Sequence, residues 1–205
     1  MRRIGVYGGT FDPIHIGHLV AAAEVQYVLG LDHVLFLPAG EPPHKANNGM
    51  TAAVHRRRMV ELAIGDNPHF ALNTIDLDRP GPHYTADALT ILRHSEPDAA
   101  LWFIMGEDTI LDVPNWLHPE RIVEHARLAV VTRPGWKVNI TDLAMLDVAI
   151  PGIVRCCDFI PIPMLDIASR QLRERLRSGA PSQYQLRADV WEYIREHGLY
   201  RSNEQ

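Results

Sequence analysis

"GGTFDPIHIGHL", residues 8–19, is the stretch on which the reading of this chain turns. It follows a short apolar run that begins at Arg3 and leads into an alanine-rich helical pattern from Val20. Two glycines, an Asp-Pro pair and two histidines three residues apart thus occupy a strand-to-helix junction. Glycine at such a junction permits unusual backbone angles and close approach of a ligand. Backbone amides around Gly9, Thr10 and Phe11, together with the positive end of the following helix, would make an anion pocket. The stretch matches neither GxGxxG nor GxxxxGK(S/T), so glycine spacing alone leaves a plain tight turn equally open.

His15 and His18 sharpen the question. At spacing i, i+3 on the first helical turn they project from one face. Any single histidine among the eleven in the chain is more often structural than catalytic, but two beside a glycine turn and a helix N-terminus suggest a site. The helix dipole disfavours imidazolium, whereas a bound polyphosphate favours it, so both rings become donors when nucleotide is present. Zinc is the rival reading, and it needs a third ligand at the same place that the sequence does not supply.

Outward from this junction, short β-rich runs alternate with longer helical ones. Residues 3–7 read as a buried strand and 17–30 as a helix stopped by Gly30. Residues 33–38 form the next strand, and 51–65 a helix with Thr51 as its N-cap and Gly65 at its end. Strands at 69–76, 100–106 and 127–132 alternate with helices at 84–95 and 119–126. This rhythm implies right-handed βαβ units and a doubly wound, mostly parallel α/β sheet. Ligands bind such sheets outside the carboxyl ends of the strands, where strand order reverses. Residues 8–13, 39–45, 106–108 and 132–135 all follow strands and share that rim. After the Pro-rich "IPIPM" (160–164), read as a connector, the patterns at 169–179 and 188–198 form a small C-terminal helical cap. We therefore expect an α/β domain over 1–165, with a helical subdomain at 166–205 packed on it.

The bulk properties set limits. The 205 residues suffice for one good core, and a formal net charge of −5 provides no general attraction to nucleic acid or anionic membrane. Phosphate binding must then come from a local site. The N-terminus is too short before the glycines for a signal-peptide core, and no run reaches the ~18 apolar residues of a membrane helix. Cys156 and Cys157 are adjacent, without metal-ligand spacing, and read as two thiols in a reduced cytoplasm.

With these residues in hand, "GGTFDPIHIGHL" closely resembles the signature of the nucleotidylyltransferase superfamily that carries HxGH after its first strand. "EPPHK" after strand two, "MGED…VPNW" after strand four and "VTRPG" after strand five resemble the branch that makes pyridine dinucleotides, the bacterial-type nicotinate-nucleotide adenylyltransferases. The tail "DIASRQLRERLRSG…EYIREHGLY" is similar to that branch's ISSTxIR segment and its closing HGLY. The matches cover nearly the whole chain.

The resemblance implies a Rossmann-like fold and a reaction in which the phosphate of nicotinate mononucleotide attacks the α-phosphorus of ATP, releasing pyrophosphate and forming deamido-NAD. The attacking phosphate is already an anion, so positioning and charge neutralisation carry the chemistry. On this resemblance His15, His18 and Lys45 are catalytic, acting on the ATP phosphates with Gly9, Thr10 and Phe11. Gly106 and Asp108 correspond to the GxD turn that meets ribose hydroxyls, although Asp108 equally suits a helix N-cap. Gly8, Thr85, Trp116 and Arg133 fall to the mononucleotide: Trp116 stacking on the pyridine ring, Thr85 meeting it through hydroxyl and backbone, Arg133 pairing with it or stabilising its loop. Mg2+ is expected to arrive with ATP, since no carboxylate cluster marks a protein-built cage.

The tail departs from the pattern. Where the family reads I-S-S-T-x-I-R, this chain has Ile167, Ala168, Ser169, Arg170, Gln171, Leu172 and Arg173. Ser169 and Arg173 are kept, Ala168 lacks a hydroxyl and Arg170 adds charge, which implies retained ATP binding through altered contacts. Three other readings stand beside this one: a nicotinamide-mononucleotide enzyme, a phosphopantetheine adenylyltransferase, and an inert nucleotide-binding module. The PPHK and VPNW segments speak against the second, and the intact histidines against the third.

Overall fold

The computed structural model describes residues 1–40, 49–65, 67–135 and 139–201. The chain runs β1 (Arg3–Gly9), α1 (Ile16–Leu29), β2 (His33–Pro38), α2 (Ala53–Ile64), β3 (Phe70–Leu72), α3 (Thr85–Ser95), β4 (Ala100–Gly106) and α4 (Glu107–Ile110). It continues through α5 (Pro119–His125), β5 (Arg127–Thr132), α6 (Ile140–Ala149), β6 (Cys157–Pro161), α7 (Ser169–Arg177) and α8 (Ala188–Glu196). The six strands form one sheet in the order β3-β2-β1-β4-β5-β6, every neighbouring pair parallel. Chain order reverses between β1 and β4, so the crevice of this doubly wound, Rossmann-like sheet opens at their carboxyl ends.

Each face of the sheet has its own core, as strands buried on both sides require. Tyr7, Phe36, Trp102, Ile104 and Ala129 face α1, α2 and the cap, where Ala22, Val25, Met59, Val60, Leu172, Val190 and Ile194 are buried. Ile4, Val6, Phe103, Leu128 and Val130 face α3 and α5, packed by Ala86, Leu89, Leu92 and Ile122. The alternation Ile4/Val6 against Tyr7 is the two-residue period of a strand sending successive side chains to opposite faces. Through Leu172, Val190 and Ile194 the C-terminal helices contribute to the α1/α2 core. No helix among the described residues is long and apolar enough to cross a membrane.

Several elements differ from the sequence expectation. The sheet is wholly parallel and has a sixth strand, β6, where a Pro-rich connector was expected to begin. β6 is an edge strand and Pro161 its last residue, a position where a missing donor is tolerated. β3 stops at Leu72 because Asn73 turns the chain, its Oδ1 accepting the Ile75 N–H at 3.0 Å. α6 went unread, although Asn139 and Asp142 cap it reciprocally. α2 is capped by Ala52 rather than Thr51, since Thr51 is held outside the helix by Asp12 and Arg56.

Candidate active site

The loop between β1 and α1 is built by strong local constraints. A Cβ on Gly8 would lie 3.1 Å from the Phe103 ring, so glycine lets β1 and β4 approach there. Three residues on, Phe11 takes a left-handed conformation, φ +48°, that costs a non-glycine residue about 1 kcal/mol. Its ring is buried, edge-on to Tyr7 at 5.7 Å and to His18 at 5.2 Å between centroids. Arg56, 1% exposed, reaches under this loop from α2. Its guanidinium donates to the carbonyls of Thr10 (2.9 Å), Ala39 (2.6 Å), Gly40 (3.2 Å) and Thr51 (2.9 Å). Such a buried cation is stable only when its donors are satisfied and a counter-charge is near, here Asp12.

His15 caps α1 and His18 sits one turn in. Their rings stack at 3.7 Å between centroids, and the His15 N–H donates to His18 Nδ1 at 3.2 Å. That bond makes Nδ1 of His18 the acceptor, leaving Nε2 to carry the proton. His15 Nδ1 is buried without a hydrogen-bond partner among the described residues. Burial, reinforced by the Arg133 guanidinium, pulls His15 down to about 4. Burial, His15 and Arg133 hold His18 well below the usual histidine range. Both imidazoles are neutral in the free protein, and incoming phosphate charge would raise them toward the donor form.

On the opposite face of the sheet a cavity of about 640 Å³ opens against the start of α3. Gly8, Gly9 and Thr10 line one wall, Phe103, Asn115 and Trp116 another, and Asp76, His83, Tyr84 and Thr85 a third. Trp116 stands edge-on to Phe103 at 6.2 Å. The polar wall is braced internally: Arg79 donates to Asp76 at 2.8 Å and His83 Nε2 lies 2.9 Å from the Arg79 carbonyl. Thus Gly8, Gly9 and Thr10 separate an apolar, aromatic cavity from a pair of imidazoles.

The remaining expected residues fall as follows. Gly106 ends β4 beside β1, and the exposed Asp108 carboxylate folds back over it. Asp108 is not the N-cap of α4; that position is Gly106, and Asp108 lies in the first turn. Arg133 is exposed and is not among the residues lining the cavity; its charge acts on His15 and His18 instead. Ser169 and Arg173 come to the β1–α1 loop but donate to its carbonyls, Ser169 to Pro13 at 2.9 Å and Arg173 to Asp12 at 2.6 Å. Arg170 is largely exposed, 3.4 Å from Glu174. Lys45 lies outside the described residues.

The sequence reading missed Arg56, Asp12, Asp76 and His83. For Arg56 a signal existed: with Met59, Val60 and Ala63 it falls on the buried stripe of α2, where an arginine needs a reason. Asp12 finds its partners far away in sequence, whereas Asp76 and His83 share the nearby Arg79 in a loop with no regular period to mark it.

Comparison with known proteins agrees with this geometry. The profile of the cytidylyltransferase-like family matches residues 6–176. A probable nicotinate-nucleotide adenylyltransferase of Thermomicrobium roseum is 47% identical over 204 residues, spanning 100% of this chain and 94% of that protein. The nicotinate-nucleotide adenylyltransferase of Bacillus subtilis is 38% identical over 98% of this chain and 100% of its own length. In fold, the chain is similar to the Plasmodium falciparum nicotinic acid mononucleotide adenylyltransferase complexed with NaAD, at TM-score 0.79 and 21% identity, covering 98% of each chain. A sheet reversing between β1 and β4, a histidine pair at that reversal and this full-length similarity together place the chain in the cytidylyltransferase-like family, among the nicotinate-nucleotide adenylyltransferases.

Proposed function

We propose that the chain joins nicotinate mononucleotide to ATP, giving deamido-NAD and pyrophosphate. One observation carries the reading: a nucleotide-sized aromatic cavity and a polyphosphate-seeking histidine pair flank the same glycine turn. The mononucleotide phosphate oxygen forms a bond to the ATP α-phosphorus while the bond to the β-bridging oxygen breaks in line, and pyrophosphate carries away that electron pair.

In this assignment Gly9, Thr10 and Phe11 present backbone amides to the triphosphate, and His15 and His18 donate to it as charge moves onto the leaving group. Arg133, whose charge is felt at both imidazoles, is assigned to the mononucleotide that meets the triphosphate there. Lys45 is assigned to the same phosphates, and Gly106 and Asp108 to the ribose of ATP. Arg170 reaches the triphosphate directly, Ser169 and Arg173 through the loop they hold. Gly8, Trp116 and Thr85 take the mononucleotide.

Among the described residues no group of three or more histidine, cysteine, aspartate or glutamate side chains is disposed to hold a metal. The polyphosphate chemistry of the reaction calls for a divalent cation, assigned as Mg2+, that would arrive with ATP. When bound it neutralises triphosphate charge. Residues 166–205 serve as a cap on the catalytic domain 1–165, and the two free thiols suit a reducing cytoplasm.

Selectivity for the acid rests on α3. Thr85 opens that helix at the cavity wall, so first-turn amides and the helix dipole favour a carboxylate over a neutral amide. The test supplies ATP, Mg2+ and either mononucleotide. We expect kcat/KM roughly 100-fold or more in favour of nicotinate, as for a site built to hydrogen-bond one substrate group. Equal values overturn the selectivity, and no turnover with either points to an inert nucleotide-binding module.

A further inference from the structure

The β1–α1 loop is held by residues far away in sequence. Arg56 takes the Thr10 carbonyl, Arg173 the Asp12 carbonyl and Ser169 the Pro13 carbonyl. The Asp12 side chain, 4% exposed, is divided between two partners. Its Oδ2 accepts the Thr51 N–H at 3.2 Å, and its Oδ1 accepts the Tyr200 hydroxyl at 2.5 Å across 188 positions of sequence.

From this convergence we infer that Tyr200 is a positioning residue for the triphosphate loop, acting through Asp12 to hold Phe11 and the histidine pair in their ATP-ready arrangement. The proposal rests on the adenylyltransferase reading of the site and extends it to the closing tyrosine of the chain's helical cap. Three features support it. Phe11, adjacent to Asp12, is left-handed and will relax unless its neighbours are held. Tyr200 is itself left-handed, φ +62°, so its backbone too is set in an uncommon conformation that aims the ring inward. Finally, the contact is charge-assisted: a phenol donating to a buried carboxylate whose counter-charge is the Arg56 guanidinium. Burial and Asp12 push the phenol's pKa upward, so the hydroxyl stays a donor across the working pH range.

A residue holding this loop should affect one substrate more than the other, because residues 11–13, the part it holds, are not among those lining the mononucleotide cavity, which takes only Gly8, Gly9 and Thr10 from this junction. The test is Tyr200→Phe, which removes one oxygen and keeps the ring in the core. Steady-state kinetics for each substrate, calorimetric binding of Mg-ATP, and hydrogen exchange of the segment 10–19 are measured beside the melting temperature. We expect KM and Kd for ATP to rise roughly tenfold, in line with losing a hydrogen bond to a charged group. KM for nicotinate mononucleotide should stay within twofold, and exchange at 10–19 should quicken. Asp12→Asn, which turns one acceptor oxygen into a donor and removes the counter-charge of Arg56, should give a larger effect of the same kind. A lower melting temperature with ATP constants and exchange unchanged, or an equal rise in both KM values, assigns Tyr200 a structural role only and overturns the proposal. A wild-type chain that binds ATP but makes no dinucleotide sinks the adenylyltransferase reading while leaving the binding and exchange measurements to judge Tyr200.

Discussion

The imidazole of His15 lies over that of His18, centroids 3.7 Å apart and planes 29° from parallel, while the His15 backbone N–H occupies His18 Nδ1. The pair is thus a rigid unit, with one ring's tautomer set by the other's backbone. Replacing His18 by alanine removes the donor whose proton the geometry places on Nε2. We expect kcat to fall about 100-fold or more, the loss typical of a transition-state donor. Single-turnover formation of dinucleotide at saturating ATP measures it, and wild-type turnover would take His18 out of the mechanism.

The same burial makes the site acid-sensitive. His15 is held at about 4, against 6.5 for the free side chain, so between those values the unfolded chain binds a proton that the folded one refuses. Stability attributable to this group is complete above about pH 6.5 and declines as pH falls, levelling off below about 4, a difference of about 3 kcal/mol at most. His18, also displaced downward, adds in the same sense. Urea denaturation from pH 7.5 to 4 should show the decline, and His15→Gln should flatten it. An unchanged slope in that variant would place the sensitivity elsewhere.

Trp116 belongs to the cavity wall, seated against Phe103 rather than in the sheet core. Trp116→Ala should raise KM for nicotinate mononucleotide roughly tenfold, the value of one aromatic stacking partner, with KM for ATP within twofold. Kinetics with each substrate varied in turn separate the two, and a matched rise in both would assign Trp116 to general packing.

Gly40 packs where no side chain fits. A Cβ there would overlap the Asp76 carbonyl and come within 2.6 and 2.7 Å of the His83 ring, both on the cavity wall. Gly40→Ala should destabilise the protein by about 2 kcal/mol, as overpacking of a tight site does, and raise KM for the mononucleotide as Asp76 and His83 yield. Chemical denaturation and kinetics report the two effects, and a neutral substitution would show the wall to be compliant.

Local pattern accounts for much of what could be read directly. The strand and helix periods at 3–7, 33–38, 84–95 and 127–132 are properties of adjacent residues, and so is the glycine turn feeding a helix that carries two histidines. From these the parallel sheet and its candidate rim were legible, while the grouping of Gly8, Thr85 and Trp116, which line one cavity, came only from the family resemblance. Readings failed where partners compete across the chain. Thr51 looks like a helix cap, yet Asp12 and Arg56 claim its backbone; Ile160 and Pro161 look like the start of a linker, yet they end β6, paired with β5.

By itself, then, the order of residues determined which segments become strands and helices and which junction gathers the glycine turn and the histidine pair, because periodicity, glycine freedom and helix-end polarity act over a few neighbours. Only the tertiary structure decided that Arg56, Arg173, Ser169 and Tyr200 converge on residues 10–13, that His15 is buried, and that both imidazoles are pushed toward the neutral form. Hydrogen-bond partners 46 to 188 positions apart, and the desolvation that shifts a proton equilibrium, exist only once the chain has packed.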